Sequence, residues 1–253
     1  MTRVLAIGDI HGQYEKLVRA LEVSGYAESD QLIFLGDYID RGPDSKRVLE
    51  LMLHLKRVPG NIFLRGNHEQ MLLHLLAGNA DYLYMWLDYS FGRACLASYG
   101  HDPASVYFEG DSYWHRGLGG TTRLKSRDET SRFIENFLPE SHINFLQYLL
   151  LSHESECCFF SHAGVQKDVE LAEQGLLSDC FLIWGDQEFF TDSRDYGKTI
   201  VFGHFHLDHP YLRPGRIGIA MKNEVAVADL TNHILYSSAG QTAAIAFAGQ
   251  NIP

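Results

Sequence analysis

The chain has 253 residues, 45% of them hydrophobic and 21% charged, enough apolar content to bury a core in one large domain or two small ones. Its formal net charge of −11 argues against a nucleic-acid or anionic-membrane partner, because phosphate backbones need a basic footprint. A small phosphorylated substrate stays compatible, since a bound cation reverses the sign locally. No apolar run reaches the length of a membrane span, and "MTRVLAIGDIHG" enters a strand pattern with no secretory layout. Cys95, Cys157, Cys158 and Cys180 show no CxxC spacing and read as reduced thiols, so a cytoplasmic protein is expected.

The first 80 residues alternate strand and helix. "RVLAIGD" reads as a strand, "QYEKLVRALEVSG" as a helix with Leu17, Ala20 and Leu21 on one face, and "QLIFLGD" as a second strand. "DSKRVLELMLHLKRV" reads as a helix capped by Asp44, and "NIFLRGN" as a third strand before a helix from about Glu69. This alternation, with nearly continuous apolar strands, predicts an α/β fold with a parallel sheet covered by helices on both faces. Residues 80 to 155 read as a mainly helical insert with an irregular Gly-rich stretch at "HRGLGGTTR". Strands return at "CCFFSH", "FLIW" and "TIVFGHFH", and the last third holds short alternating strands at "RIGIA", "EVAVADL" and "HILYSS". With no linker or repeat, residues 1–253 are expected to form a single domain.

Three strand ends carry the same kind of chemistry. "GDIHG" places Asp9 and His11 past the first strand, "GDYIDRGP" places Asp37, Asp40 and Arg41 past the second, and "RGNHE" places Arg65, Asn67 and His68 past the third. The carboxyl ends of neighbouring parallel strands form a natural binding crevice. Carboxylate, imidazole and amide donors suit two divalent cations such as manganese, iron or zinc. Asp37, in the middle of the set, is the natural bridge between them, because a carboxylate offers two oxygens and a full charge. Cations about 3.5–4 Å apart clamp an in-line displacement at phosphorus and make hydroxide available near neutral pH. Arg41 and Arg65 offer planar forks matched to phosphate. His68 can give the leaving oxygen a proton as general acid, with Asp40 orienting its other nitrogen. Each piece alone is ordinary, an Asp after a strand being commonly a helix cap, but three in order point to one site.

In this order, "GDIHG", "GDYIDRGPDS", "RGNHE", "SHAG" and "GH" resemble the phosphoprotein phosphatase branch of the metallophosphoesterases, with compact bacterial and bacteriophage lambda protein phosphatases as the nearest type. The resemblance runs from about Val4 to His204 and takes in "WLDYSFGRACLASYG". It implies a central β-sandwich of mixed sheets flanked by helices, in which the terminal strands form a second sheet. It also implies metal ligation by Asp9, His11, Asp37, Asn67, His162 and His204, with Asp37 bridging, an acid pair of His68 and Asp40, and phosphate held by Arg41 and Arg65. The implied activity is metal-dependent dephosphorylation of phosphoserine or phosphothreonine proteins, with two ions, manganese first. A hydrolase of symmetrical dinucleoside tetraphosphates is the nearest alternative, but such enzymes tend toward "ARG" and "GNHD" where this chain has "DRG" and "GNHE".

Two departures stand out. Trp184-Gly185-Asp186 occupies the place where this branch commonly has Trp-x-Arg, so a phosphate-gripping arginine is missing and a carboxylate stands there. Arg123 and Arg194 are the candidate replacements, and a weakened, metal-binding regulatory protein is the third reading. The second departure is "GHFH", residues 203–206. Strand alternation would put His206 on the same face as His204. Other branches resemble "GHxH" and use the second histidine on the first metal. His206 is therefore an expected further ligand and His209 a loop residue.

Overall fold

In the computed structural model, which describes residues 2–117, 120–176 and 180–245, the opening alternation forms as read. Strands β1 (Val4–Ile7), β2 (Gln31–Phe34) and β3 (Ile62–Phe63) are parallel neighbours. Helices α1 (Tyr14–Val23) and α2 (Ser45–Leu55) connect them. Period-two alternation divides each strand between two cores. Leu5, Ile7, Leu32 and Phe34 join a cluster under the helices, where α1 buries Leu17, Ala20 and Leu21, while Ala6 and Ile33 face the other way. Asp44 precedes α2 but does not cap it; its carboxylate lies 3.6 Å from Arg47 Nη1 instead. Helix α3 (Asn67–Leu76) begins two residues ahead of the expected Glu69, so Asn67 and His68 lie in its first turn.

The insert is mainly helical, with α4 (Tyr82–Tyr84), a π-helical turn over Met85–Tyr89, and α5 (Gly92–Ser98). Its Gly-rich stretch, expected to be irregular, is instead part of an antiparallel sheet. Strands β4 (Val106–Glu109), β5 (Ser112–Gly117) and β6 (Gly120–Leu124) pair in sequence order. Aromatic and β-branched residues flank those glycines (Tyr113, Trp114, Thr121, Thr122), and they favour a pleated surface. Residues 118 and 119 of that stretch lie outside the described residues. Helices α6 (Arg127–Phe137) and α7 (Glu140–Gln147) then return the chain to the body.

A single doubly covered sheet is not what forms. The chain builds β7 (Ser152–Glu154), β8 (Cys158–Ser161), helix α8 (Cys180–Trp184), β9 (Thr199–Phe202), β10 (Tyr211–Arg213) and β11 (Arg216–Gly218). Its five strands of this stretch make a second sheet ordered β10-β11-β9-β8-β7. The terminal strands β12 (Ala226–Asp229), β13 (Ile234–Ser237) and β14 (Thr242–Ala244) go back to the first sheet, ordered β14-β13-β12-β1-β2-β3. Between the sheets lie Ala6, Ile33, Phe160, Val201, Ile217 and Ala228. This mixed-sheet sandwich flanked by helices is the architecture that the motif resemblance implied. "FLIW", expected as a strand, is helix α8. Its Leu182 joins Phe189 and Phe202 on the outer face of the second sheet, whose edges are already β10 and β7. A four-residue apolar run fits either state, and as a helix it buries Leu182 against Phe189 and Phe202.

Candidate metal centre

The turns after β1, β2, β3, β8 and β9 meet at one end of the sandwich. Positive φ angles recur there, at His11 (46°), Asp37 (54°), Asp40 (72°), Arg41 (60°) and His204 (63°). Left-handed backbone at non-glycine residues is strained and collects at functional sites. Two glycines make room for it. A Cβ on Gly66 would sit 2.1 Å from Asp37 Oδ1, and one on Gly203 would sit 2.3 Å from Asp9 Oδ1.

Asp37 is the hub. Its Oδ1 lies 3.4 Å from His162 Nε2, and its Oδ2 lies 3.5 Å from His11 Nε2 and 4.0 Å from His68 Nε2. Asn67 Oδ1 is 3.1 Å from His162 Nε2 and 2.9 Å from His204 Nδ1. The other ring nitrogen of His162 is fixed at 2.8 Å from Leu35 O, and His11 Nδ1 at 3.2 Å from Ile39 O. Donation to those carbonyls turns both Nε2 atoms inward, where each neutral ring would offer a lone pair to a cation. Asp9 Oδ2 and His11 Nε2 are buried with no hydrogen-bond partner. Orphaned buried polar atoms on a carboxylate and an imidazole are what a bound cation would satisfy.

Donor atoms close enough to hold an ion form three groups among the described residues: Asp9–His11–His206, His11–Asp37–His68 and Asp37–His162–His204. Electrostatics agree with this grouping. Burial opposes ionisation of Asp37, yet the fields of His162, His68 and His11 win and hold its carboxyl well below the usual range. Burial, then Asp37, pushes Asp9 up to about 6. His162 is driven to about 9 because Asp37 and Asp9 outweigh its own burial, so a proton there offsets charge that a cation would otherwise balance. Burial, reinforced by His162, holds His204 at about 3, which keeps a lone pair available.

The histidine pair of "GHFH" does not share a strand face. Strand β9 ends at Phe202, and the turn through Gly203 and His204 sends the two rings to different groups, His204 to Asp37 and His162, His206 to Asp9 and His11. The alternation premise fails, although His206 still reaches the cluster. It is contested there, since the Arg41 guanidinium contacts its Nε2 and lies 3.4 Å from its Nδ1. Burial, then Arg41, lowers His206 to about 4. His209 lies in a loop.

Beside the hub, His68 Nδ1 donates to Asp40 Oδ2 at 2.7 Å, and both side chains are buried. Burial alone would lower the His68 pKa, but Asp37 and Asp40 raise it above the ordinary value. Two supporting residues had been given no role from the sequence. Trp86 Nε1 donates to the free Asp40 oxygen at 3.1 Å. Glu69, fully buried, accepts from the backbone N–H groups of Asp37, Tyr38, Ile39 and Gly66, and so pins the Asp37 turn against the start of α3. The signal for both was present, in "RGNHE" and in "WLDYSFGRACLASYG".

The cations are placed unequally. Arg41 is exposed on the rim of a cleft of about 270 Å³ that also presents Gln13, Lys222 and Glu224. Arg65 instead donates to Gln70 Oε1 and to the carbonyls of Gln147 and Leu149. Asp186 caps a short 3-10 helix by accepting from Glu188 N at 2.9 Å. Of the candidate replacements, Arg123 pairs with Asp111 and Arg194 with Glu170.

Residues 2–216 match the Calcineurin-like phosphoesterase family, and the chain belongs to it. That family uses a dinuclear metal site, and the shared carboxylate, orphaned donors and grouped imidazoles fit one. A Schizosaccharomyces pombe protein named as a candidate serine/threonine-protein phosphatase is 30% identical over 211 residues, 79% of this chain and 58% of that protein. The chain therefore spans less than two thirds of that relative. Among solved structures, one named as a candidate diadenosine tetraphosphatase superposes with TM-score 0.62 at 19% identity, over 93% of this chain and 92% of its own. The cold-active protein-tyrosine phosphatase of a Shewanella species gives 0.55 at 15%, over 97% and 81%. A serine/threonine phosphatase of Saccharomyces cerevisiae gives 0.54 at 15%, over 99% and 82%. These likenesses show a common fold. No helix among the described residues is long and apolar enough to cross a membrane.

Proposed function

We propose that this phosphoesterase is a protein phosphatase acting on phosphoserine or phosphothreonine, with two divalent ions, manganese first, held by Asp9, His11, Asp37, Asn67, His162, His204 and His206. The observation that carries the reading is the position of Asp37, whose two oxygens face His162 and His11 in separate donor groups, with the buried His68–Asp40 pair alongside. When bound, the ions would polarise the phosphoryl oxygens and acidify a shared water. The chain's own residues do the rest. Asp40, its second oxygen held by Trp86, takes the Nδ1 proton of His68 in a hydrogen bond and fixes the tautomer. His68 Nε2 then carries the proton that the leaving oxygen needs. Arg41, on the open rim, is the group best placed to grip a nonbridging oxygen. The grouped metal donors and the intact His68–Asp40 pair weigh against a disabled site, although neither Arg123 nor Arg194 is free to replace the missing arginine.

The "DRG" and "GNHE" motifs and the name of the yeast relative favour a phosphoprotein over a dinucleoside tetraphosphate. The test is phosphate release from a phosphoserine peptide with manganese present and with chelator added. Manganese-dependent release is the expected result. Rapid turnover of diadenosine tetraphosphate with an inert phosphopeptide would move the reading to the nucleotide substrate. Inertness toward every phosphoester, with ions bound, would leave a binding protein.

A further inference from the structure

At the opposite end of β8 from His162 sits a pair of thiols that the phosphoesterase chemistry does not use. Hairpin β7–β8 closes where Ser155 N donates to Cys158 O at 2.9 Å and Cys158 N donates to Ser155 Oγ at 3.1 Å. Cys157 thus falls in the turn rather than in the strand. Neighbours along a strand point to opposite faces, but here the two sulfurs turn toward each other and lie 3.6 Å apart. Cys158 is buried and Cys157 half-buried. Both line a cavity of about 250 Å³ at the open end of the sandwich, walled by Val4, Ile33, Phe160 and Leu230. An apolar cavity of ~150 Å³ is enough to hold benzene.

The spacing selects the kind of occupant. With bonds to sulfur of about 2.3 Å, a linear two-coordinate ion would need the sulfurs ~4.6 Å apart, whereas a bent centre near the tetrahedral angle needs ~3.7 Å. Zinc would require two more protein donors, and among the described residues all three groups of donors close enough for an ion lie at the other end of the molecule. A disulfide would have to join residues whose Cα atoms are ~3.8 Å apart, below the usual range for such bridges. What remains is a bent, thiophilic centre that brings its own third substituent.

We propose that Cys157 and Cys158 form a chelating dithiol site for a trivalent organoarsenical, whose organic group enters the apolar cavity. An arsenical of the form R–As(OH)₂ exchanges two As–O bonds for two As–S bonds. Each hydroxyl leaves as water with one thiol proton, and arsenic stays trivalent, so no oxidant or reductant is needed. Because the site stands a strand's length from the Asp37 hub, its occupancy is read without any phosphatase assay.

The test uses the full chain, reduced with a phosphine, and one equivalent of phenylarsine oxide. Intact mass should show a single adduct, and thiol titration should show two thiols lost per adduct. A vicinal dithiol competitor should reverse both, while a monothiol at equal concentration should not. Cys157→Ser, at the half-exposed turn, should weaken capture by ~10²-fold, the effective-concentration advantage of two tethered ligands. Cys158→Ala, which leaves no unpaired hydroxyl at the buried position, is the second variant and should lose capture to the same degree, and Cys180→Ser should change nothing. One thiol lost per adduct, thiols lost with no arsenic mass, or undiminished capture by Cys157→Ser would each overturn the proposal.

Discussion

The two halves of the donor cluster are built differently. The inner half, Asp37, Asn67 and His162 with His204, is locked from behind. Glu69 holds the Asp37 turn through three successive N–H groups, Leu35 O fixes His162, and Asn67 is set by the first turn of α3. The outer half, Asp9, His11 and His206, has two orphaned donor atoms and a half-buried histidine that a neighbouring guanidinium contacts. On the proposed reading, an ion in the inner position would meet a preorganised set, whereas one held through His206 in the outer position would have to displace Arg41. Preorganisation, together with the Asn67 amide, is what distinguishes the two positions.

The comparison can be broken most directly at the residue that both halves use. Asp37→Asn should empty both positions and take turnover to background, with bound metal measured by elemental analysis; two ions retained would remove Asp37 from its bridging place. Next in size, His68→Asn should keep its metal content and lose ~10²–10⁴-fold in kcat on alkyl phosphates, where the leaving group needs a proton. Aryl phosphates should suffer less, and an equal loss on both would argue against general acid action. His206→Ala should weaken only the outer position, by ~10–100-fold, so that a metal titration shows one tight and one poor site. Uniform weakening of both would erase the inner–outer distinction. The smallest effect is expected at Trp86→Phe. Removing a donor from the buried Asp40 should cost about 1–3 kcal/mol of stability by denaturant titration while leaving metal binding intact.

Legibility in the sequence followed the same division. Strand ends, the order of the motifs and the hub were readable, because each lies within a few residues of a strong apolar run and carries chemically distinctive side chains. Asp40 and His68 could be paired on paper because a histidine acid needs a carboxylate. Besides the β4–β6 sheet, three features were not readable. Asp44 precedes a helix and looks like a cap, yet its carboxylate faces Arg47. "FLIW" has the composition of a strand and became helix α8. His206 was placed by alternation along a strand that in fact stops at Phe202. In each case local pattern left two states nearly equal; packing against segments distant in sequence chose for α8 and His206, and a cation three residues on chose for Asp44.

The sequence alone determined which residue types stand at the ends of the strands, and hence the family and the kind of donor the site offers. Only the tertiary structure decided which donors share a position, that Arg65 turns to carbonyls at and just past the end of α7 while Arg41 faces the cleft, and that Asp186 is spent on a cap. Residue identity and strand ends are properties of short segments. Which lone pairs converge depends on turns whose left-handed backbone is held by groups 30 to 200 residues away, such as Glu69 on Asp37 and Asp9 on His204.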